Sequence, residues 1–223
     1  MELELKVRMN DKLFVRDPES TELGRRIVRQ GLLLIQEIGF EQFTFKKLAT
    51  IIKTTEAGIY RYFENKHKLL VYLVDWYWTV LRYQIRVRLN NLDNAERKLK
   101  LVIQLLVDWG TEPLMEDPIQ RGLYHIAISE GNKTYLTKDV GLDNGNQFFK
   151  PYKDLCKDIS EIMLELKPNF PFALSLSSTL VETSHLQNYF MENLPSLTDF
   201  GKQSDKTPLI RYLEHLVFSA LLN

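Results

Sequence analysis

Residues Thr44 to Lys66 read TFKKLATIIKTTEAGIYRYFENK. Thr44 is an N-capping type, and Phe45, Leu48, Ile51 and Ile52 behind it recur at the spacing of one apolar helix face, which predicts a helix of about two turns. Lys53-Thr54 makes a corner. Thr55 then caps a second short helix, in which Ile59 and Phe63, four residues apart, point inward and Glu56, Ala57, Gly58, Tyr60 and Arg61 are left facing out. Two short capped helices around a tight corner are the helix-turn-helix layout. The outward residues suit the major groove of DNA, which is ~12 Å wide. Ala57 and Gly58 are small enough to let the backbone come close, while the Tyr60 hydroxyl and the Lys66 charge stand on either side, where phosphates would be met.

On the N-terminal side, Asp17-Pro18 pairs a capping residue with the residue favoured in a first helical turn, and Ile27, Leu34, Ile35 and Ile38 follow at helical spacing until Gly39. A helix over 18–38 is expected. On the C-terminal side Lys66 opens a longer helix to about Leu89, apolar nearly all round from Leu69 to Leu81, as befits a helix gripped from two sides. Amphipathic segments follow at Ala95–Trp109, Pro118–Glu130, Asn144–Leu166, Pro171–Asn193 and Pro208–Leu222, separated by Gly and Pro breakers. Only Leu3 to Met9 alternates apolar and charged residues like a half-buried strand; with no partner strand it reads equally as a loosely attached arm. The expected organisation is all-α: an arm over residues 1–17, a three-helix helix-turn-helix DNA-binding domain over 18–66 and a helical body over 67–223.

Composition bounds the partners. The chain has 223 residues, 44% hydrophobic and 26% charged, so it can bury a core and is neither disordered nor fibrous. Its single cysteine, Cys156, excludes an intramolecular disulfide framework and a cysteine-based metal site. Glu2, Glu4 and Lys6 interrupt the opening stretch, which argues against a signal peptide and for a cytoplasmic protein. The longest apolar run, Leu69 to Leu81, contains Asp75 and is shorter than the roughly 20 residues needed to span a bilayer. Net charge is zero, yet between Ser20 and Lys68 nine basic residues face five acidic ones, and the rest of the chain offsets that excess. A small basic module on an acidic body is the pattern a DNA-binding protein would show.

With these residues in hand, Ile27 to Leu70 resembles the DNA-binding domain of the TetR/AcrR family of bacterial transcriptional repressors. The resemblance is carried by the Gly39-Phe40 turn, the Thr44-capped helix with its Leu48-Ala49 pair, and the run Ile59-Tyr60-Arg61-Tyr62-Phe63 followed by Lys66 and Leu69-Leu70. One departure is visible: the corner is Lys53-Thr54 where the family usually has glycine followed by an apolar residue. The resemblance implies that Thr44, Tyr60 and Lys66 hold phosphates and that Lys46, Glu56, Ala57, Gly58 and Arg61 face bases; Thr55, the cap of the recognition helix, is a further DNA-binding candidate. By residue type, Arg61 would pair with guanine, Glu56 would accept from cytosine N4, and Ala57 would touch a thymine methyl. It also implies that the body over 67–223 dimerises and binds a ligand. A ligand that shifts the Lys66–Leu89 helix would then move two recognition helices off the ~34–36 Å spacing of a palindromic operator.

The body itself carries weaker signals. Leu174, Leu180, Val181 and Leu186, with Leu209, Leu213, Leu216, Val217 and Leu221, form stripes broad enough to need partners on more than one side, which predicts a homodimer through the last two helices. Trp109, Tyr124 and His125 are the candidate walls of a site for a small apolar ligand. No GxSxG elbow, phosphate loop, GxGxxG or HExxH is present, and Ser184-His185 is an adjacent pair that a helix would splay apart, so neither an enzyme nor a cofactor or metal site is expected. The alternative is a ligandless dimeric DNA-binding or helical interaction protein whose aromatic body is solid core.

Overall fold

The computed structural model describes residues 9–109, 117–201 and 205–222; the strand-like reading of Leu3 to Met9 lies, up to residue 8, outside them. Among the described residues the fold is all-α, with helices α1 (Glu22–Gln42), α2 (Phe45–Ile51), α3 (Glu56–Tyr60), α4 (Lys66–Leu89) and α5 (Ala95–Val107), followed by α6 (Asp117–Ser129), α7 (Val140–Gly145), α8 (Lys150–Leu166), α9 (Ala173–Asn193) and α10 (Thr207–Leu222). None is long and apolar enough to cross a membrane.

Three features differ from the sequence reading, each for a local reason. Asp17 caps a separate 3-10 turn, Pro18–Ser20, by accepting the Glu19 N–H at 2.9 Å, and it is Thr21 that starts α1, its hydroxyl accepting the Gly24 N–H at 3.0 Å. Gly24 allows the turn to fold back, because a Cβ there would lie 2.2 Å from the Pro18 carbonyl oxygen. The single helix expected over 144–166 is broken. Gln147 takes a left-handed φ of 64°, the Phe148 N–H donates to the Asp143 carbonyl at 3.1 Å, and α8 restarts at Lys150. The break seats Phe148 in the core, with the Lys68 ammonium 3.9 Å from its ring centroid. Finally, Ile51 leaves the α2 stripe: it is 49% exposed, while Phe45, Leu48 and Ile52 are buried.

The chain divides into two compact units, Met1–Val80 with Glu112–Lys150, and Leu81–Thr111 with Pro151–Asn223. In the first, α1, α2, α3 and the start of α4 close around Ile27, Ile35, Leu48, Ile52, Ile59, Phe63 and Leu69, all buried. Helix α6 lies along α1, close enough that a Cβ on Gly122 would meet Leu32 Cδ2 at 2.3 Å. In the second unit α5, α9 and α10 pack together, with Leu180, Val181, Leu209, Leu213, Val217 and Leu221 fully buried. The end of α4 is tied to α8 by Arg82, whose guanidinium contacts Asp158 at 2.7 Å and Asp154 at 2.9 Å.

Candidate nucleic-acid interface

The helix pair is built from its caps. The Thr44 hydroxyl accepts the Lys47 N–H at 3.2 Å and the Thr55 hydroxyl accepts the Gly58 N–H at 3.1 Å, so each short helix begins where its threonine stands. Capping uses the hydroxyl oxygen as an acceptor and leaves its proton free for a phosphate oxygen, which suits both residues to an exposed helix start. Gly58 has a packing reason as well: a Cβ there would fall 2.9 Å from the Thr54 hydroxyl oxygen and 3.4 Å from that of Thr55.

Between the helices the chain reverses through a left-handed residue. The Lys53 N–H donates to the Thr50 carbonyl at 3.3 Å and the Thr54 N–H to the Ala49 carbonyl at 3.0 Å, with Lys53 at φ 52°. These paired bonds close the last turn of α2 in the way a glycine-terminated helix usually does. The departure at Lys53-Thr54 therefore leaves the corner's geometry intact.

The outward face matches the residue types expected there. Glu56, Ala57 and Arg61 are exposed, and Tyr60 lays its ring on Phe45, 5.1 Å between centroids, while remaining 48% exposed. Ile59 and Phe63 are buried beneath them, and Tyr62 is buried too, its hydroxyl 2.7 Å from that of Thr21.

The basic residues of this region divide by what they already hold. Lys47 donates to the Gln42 carbonyl, Arg26 to the Ile52 carbonyl, and Arg25 to the Glu19 carbonyl and the Glu22 carboxylate. Lys66 sends its ammonium to the carbonyls of Phe40, Glu41 and Phe43 at 3.0, 3.3 and 3.2 Å, over the Phe40 ring. An ammonium has three protons, so this one is fully engaged by the tail of α1. The side chains of Lys46, Lys53 and Arg61 are exposed and have no hydrogen-bond or ion-pair partner among the described residues.

The same tail of α1 is gripped from its other side. Gly39, at φ 76°, turns the Phe40 N–H toward the Glu130 carboxylate, which accepts it at 3.0 Å. Lys133 bridges Glu130 and Glu41 at 2.8 and 2.9 Å, and its hydrogen bond to Glu41 is the main cause of that exposed carboxyl's lowered pKa. Sequence reasoning missed this clamp, since no local pattern joins residue 130 to residue 40.

The ligand candidates are spread through the fold. Trp109 is buried after α5 in the second unit, whereas Tyr124 and His125 belong to α6 in the first. The Tyr124 ring lies 6.3 Å from that of Tyr77 on α4, and His125 is exposed. Two buried titratable groups lie outside the helix pair. Asp75 is 3% exposed within α4, and burial pushes its carboxyl well above the usual range. His185, buried in α9, is pulled down to about 4 by loss of solvation.

Against this geometry, comparison with known proteins is informative. The sequence model described as bacterial regulatory proteins, tetR family, matches residues 27–73, which begin within α1 and end within α4. This segment is similar to the N-terminal domain of that family. Among curated relatives, the nucleoid occlusion factor SlmA of Salmonella newport and that of Salmonella agona are each 28% identical over 88 residues, 39% of this chain. The match spans 44% of the length of those relatives. Solved structures carry the likeness across the body. The fatty acid degradation regulator FadR from Bacillus halodurans superimposes with a TM-score of 0.60 at 19% identity, over 86% of this chain and 96% of that one. AibR in complex with isovaleryl coenzyme A and operator DNA gives 0.54 at 13% identity, over 87% and 96%. A transcriptional regulator from Rhodococcus sp. Rha1 gives 0.56 at 13%, over 92% and 94%. The whole chain thus has a TetR-like fold.

Proposed function

We propose that this protein is a cytoplasmic DNA-binding transcriptional regulator, a repressor that binds a palindromic operator as a homodimer and is released by a small apolar ligand. The observation that carries the reading is the outward face of the TetR domain. Two exposed threonines with free hydroxyl protons, Thr44 and Thr55, and two uncommitted cations, Lys46 and Arg61, belong to the same pair of short capped helices as the small exposed side chain of Ala57. In this reading Thr44, Thr55 and Tyr60 position the domain on phosphates, Arg61 and Glu56 read base edges, and Ala57 and Gly58 permit close approach. Lys66 acts from behind, holding the end of α1 so that Thr44 is presented correctly.

Release follows from the first unit's construction. Helix α6 packs along α1 and its C-terminal Glu130 holds the Phe40 N–H, so a ligand that favours another placement of α6 or α4 also moves the corner leading into α2. The ligand is assigned as small and apolar, with Tyr124 and His125 of the first unit as candidate contacts and Trp109, in the second unit, as a separate candidate. Short branched acyl chains, presented on coenzyme A, are the first such apolar groups to try, because AibR, a fold neighbour, was captured with isovaleryl coenzyme A. No catalytic step enters this account.

The test is selection of fragments of the source genome by the purified protein. A site of two-fold symmetry, with half-sites ~10–10.5 bp apart or a multiple of that, is the expected product. No enrichment over input at low salt would refute the proposal. Adding isovaleryl coenzyme A to the bound complex then tests release.

A further inference from the structure

Lys53 stands where the backbone least favours a side chain. At φ 52° it occupies the left-handed region, in which a Cβ crowds the following carbonyl and glycine is at ease. The corner requires that conformation, because the Lys53 N–H and the Thr54 N–H close the last turn of α2 on the Thr50 and Ala49 carbonyls. Glycine would make the same turn without the crowding. The lysine side chain is therefore not explained by the turn it occupies.

Nor does that side chain hold a partner among the described residues. The Lys53 ammonium is exposed and has no hydrogen-bond or ion-pair partner among the described residues, in contrast to those of Lys47 and Lys66 and the Arg26 guanidinium, each of which is spent on backbone carbonyls. Its place in the fold is informative. It lies three residues after Thr50 and seven after Lys46, both exposed, so it prolongs the outer line of α2 to the point where the chain enters the recognition helix two residues later at Thr55.

We propose that Lys53 is a DNA-phosphate anchor at the corner of the helix-turn-helix, a contact this chain makes from a position where a glycine would serve the fold better. The proposal rests on the DNA-binding reading above. The flexible four-carbon stem suits a phosphate, which asks for a point charge rather than a planar fork. A competing role is purely internal: the ammonium would complement the carbonyl end of α2, and its loss would then weaken the fold.

These roles predict opposite results. Lys53→Gly, Lys53→Asn and Lys53→Arg are compared with wild type for thermal midpoint and for affinity toward a labelled mixed-sequence duplex across a series of potassium chloride concentrations. Asparagine tolerates the left-handed region without charge, and arginine keeps the charge. The anchor predicts that Lys53→Gly melts at or above wild type yet binds DNA less tightly. The slope of log affinity against log salt should fall by about 1 per bound subunit for the glycine and asparagine variants and be retained by arginine. The deficit should shrink as salt rises. A reduced slope supports the anchor whatever the melting temperature does, since the slope reads contacts made by folded molecules. Unchanged slopes in both neutral variants overturn it. A wild type with no duplex affinity at the lowest salt overturns the DNA-binding reading and this assignment together, whereas a binding wild type with unchanged variants overturns this assignment alone.

Discussion

The Glu130 carboxylate accepts the main-chain N–H of Phe40 at 3.0 Å, joining residues ninety positions apart. On the opposite side of the same short segment Lys66 holds the carbonyls of Phe40, Glu41 and Phe43. An anion on its N–H and a cation on its carbonyls thus fix the corner that delivers Thr44 to the start of α2. Glu130→Ala strands a buried N–H and removes one anion from Lys133, at an expected cost of about 2 kcal/mol. Glu130→Gln keeps an acceptor and should lose distinctly less. Denaturant titration of the two variants checks this; equal losses would show that charge, not the Phe40 bond, is what Glu130 supplies.

Lys66 is the matching experiment on the other side. Lys66→Met keeps much of the stem but leaves three carbonyls without their donor, an expected destabilisation of about 2 kcal/mol. Because the ammonium is already engaged, the salt dependence of DNA binding should stay at the wild-type slope. A slope lowered by about 1 per subunit, with stability unchanged, would return Lys66 to the phosphates.

The contrast between Lys66 and Thr44 shows what the sequence makes legible. Thr44 and Thr55 were readable as caps because a cap acts on an N–H three residues ahead, inside the window that a pattern spans. Ile59 and Phe63 were readable as core for the same reason, being four apart on one helix face. Lys66 looked free, because its acceptors lie more than twenty residues earlier in a tail of α1 whose carbonyl directions no residue type announces. Glu130 was invisible for the same reason at greater range. The break at Gln147 was hidden because a left-handed glutamine carries no signature, and it is the burial of Phe148 that accompanies it.

Two buried groups give stability a pH dependence of known sign. His185 is neutral in the folded chain down to about 4, while the unfolded chain takes up a proton near 6.5. Between those values the unfolded state binds more protons, so stability falls as pH is lowered through that window, by about 3 kcal/mol at its full extent. His185→Gln should flatten this acid limb of a stability profile. Asp75 acts in the opposite direction. Its raised pKa keeps a proton that the unfolded chain gives up above 3.8, so its contribution declines as pH rises. Asp75→Asn should therefore gain on wild type with increasing pH; a constant difference would mean that Asp75 ionises in the folded chain as easily as in water.

The dimer prediction needs variants that spare the core. Leu209, Leu213, Val217 and Leu221 are fully buried within the chain, so removing α10 would unfold it, at about 1.5–3 kcal/mol for each lost side chain. Leu174, Leu186, Tyr212 and Leu222 are the exposed apolar residues of α9 and α10. The expected result is that Leu186→Glu combined with Tyr212→Glu sediments as a folded monomer while wild type sediments as a dimer. A dimer that survives the pair places the seam elsewhere.

If the exposed face of α2 and α3 docks on DNA as proposed, the salt dependence of duplex affinity for wild type and for Lys46→Ala/Arg61→Ala shows it. Both side chains are exposed and hold nothing within the described residues, so the double variant should keep the wild-type melting temperature. The log affinity of wild type should fall steeply with log salt, and the double variant should bind more weakly, with a visibly shallower slope and no preference for the selected site. A double variant with the wild-type affinity, slope and site preference would contradict that docking.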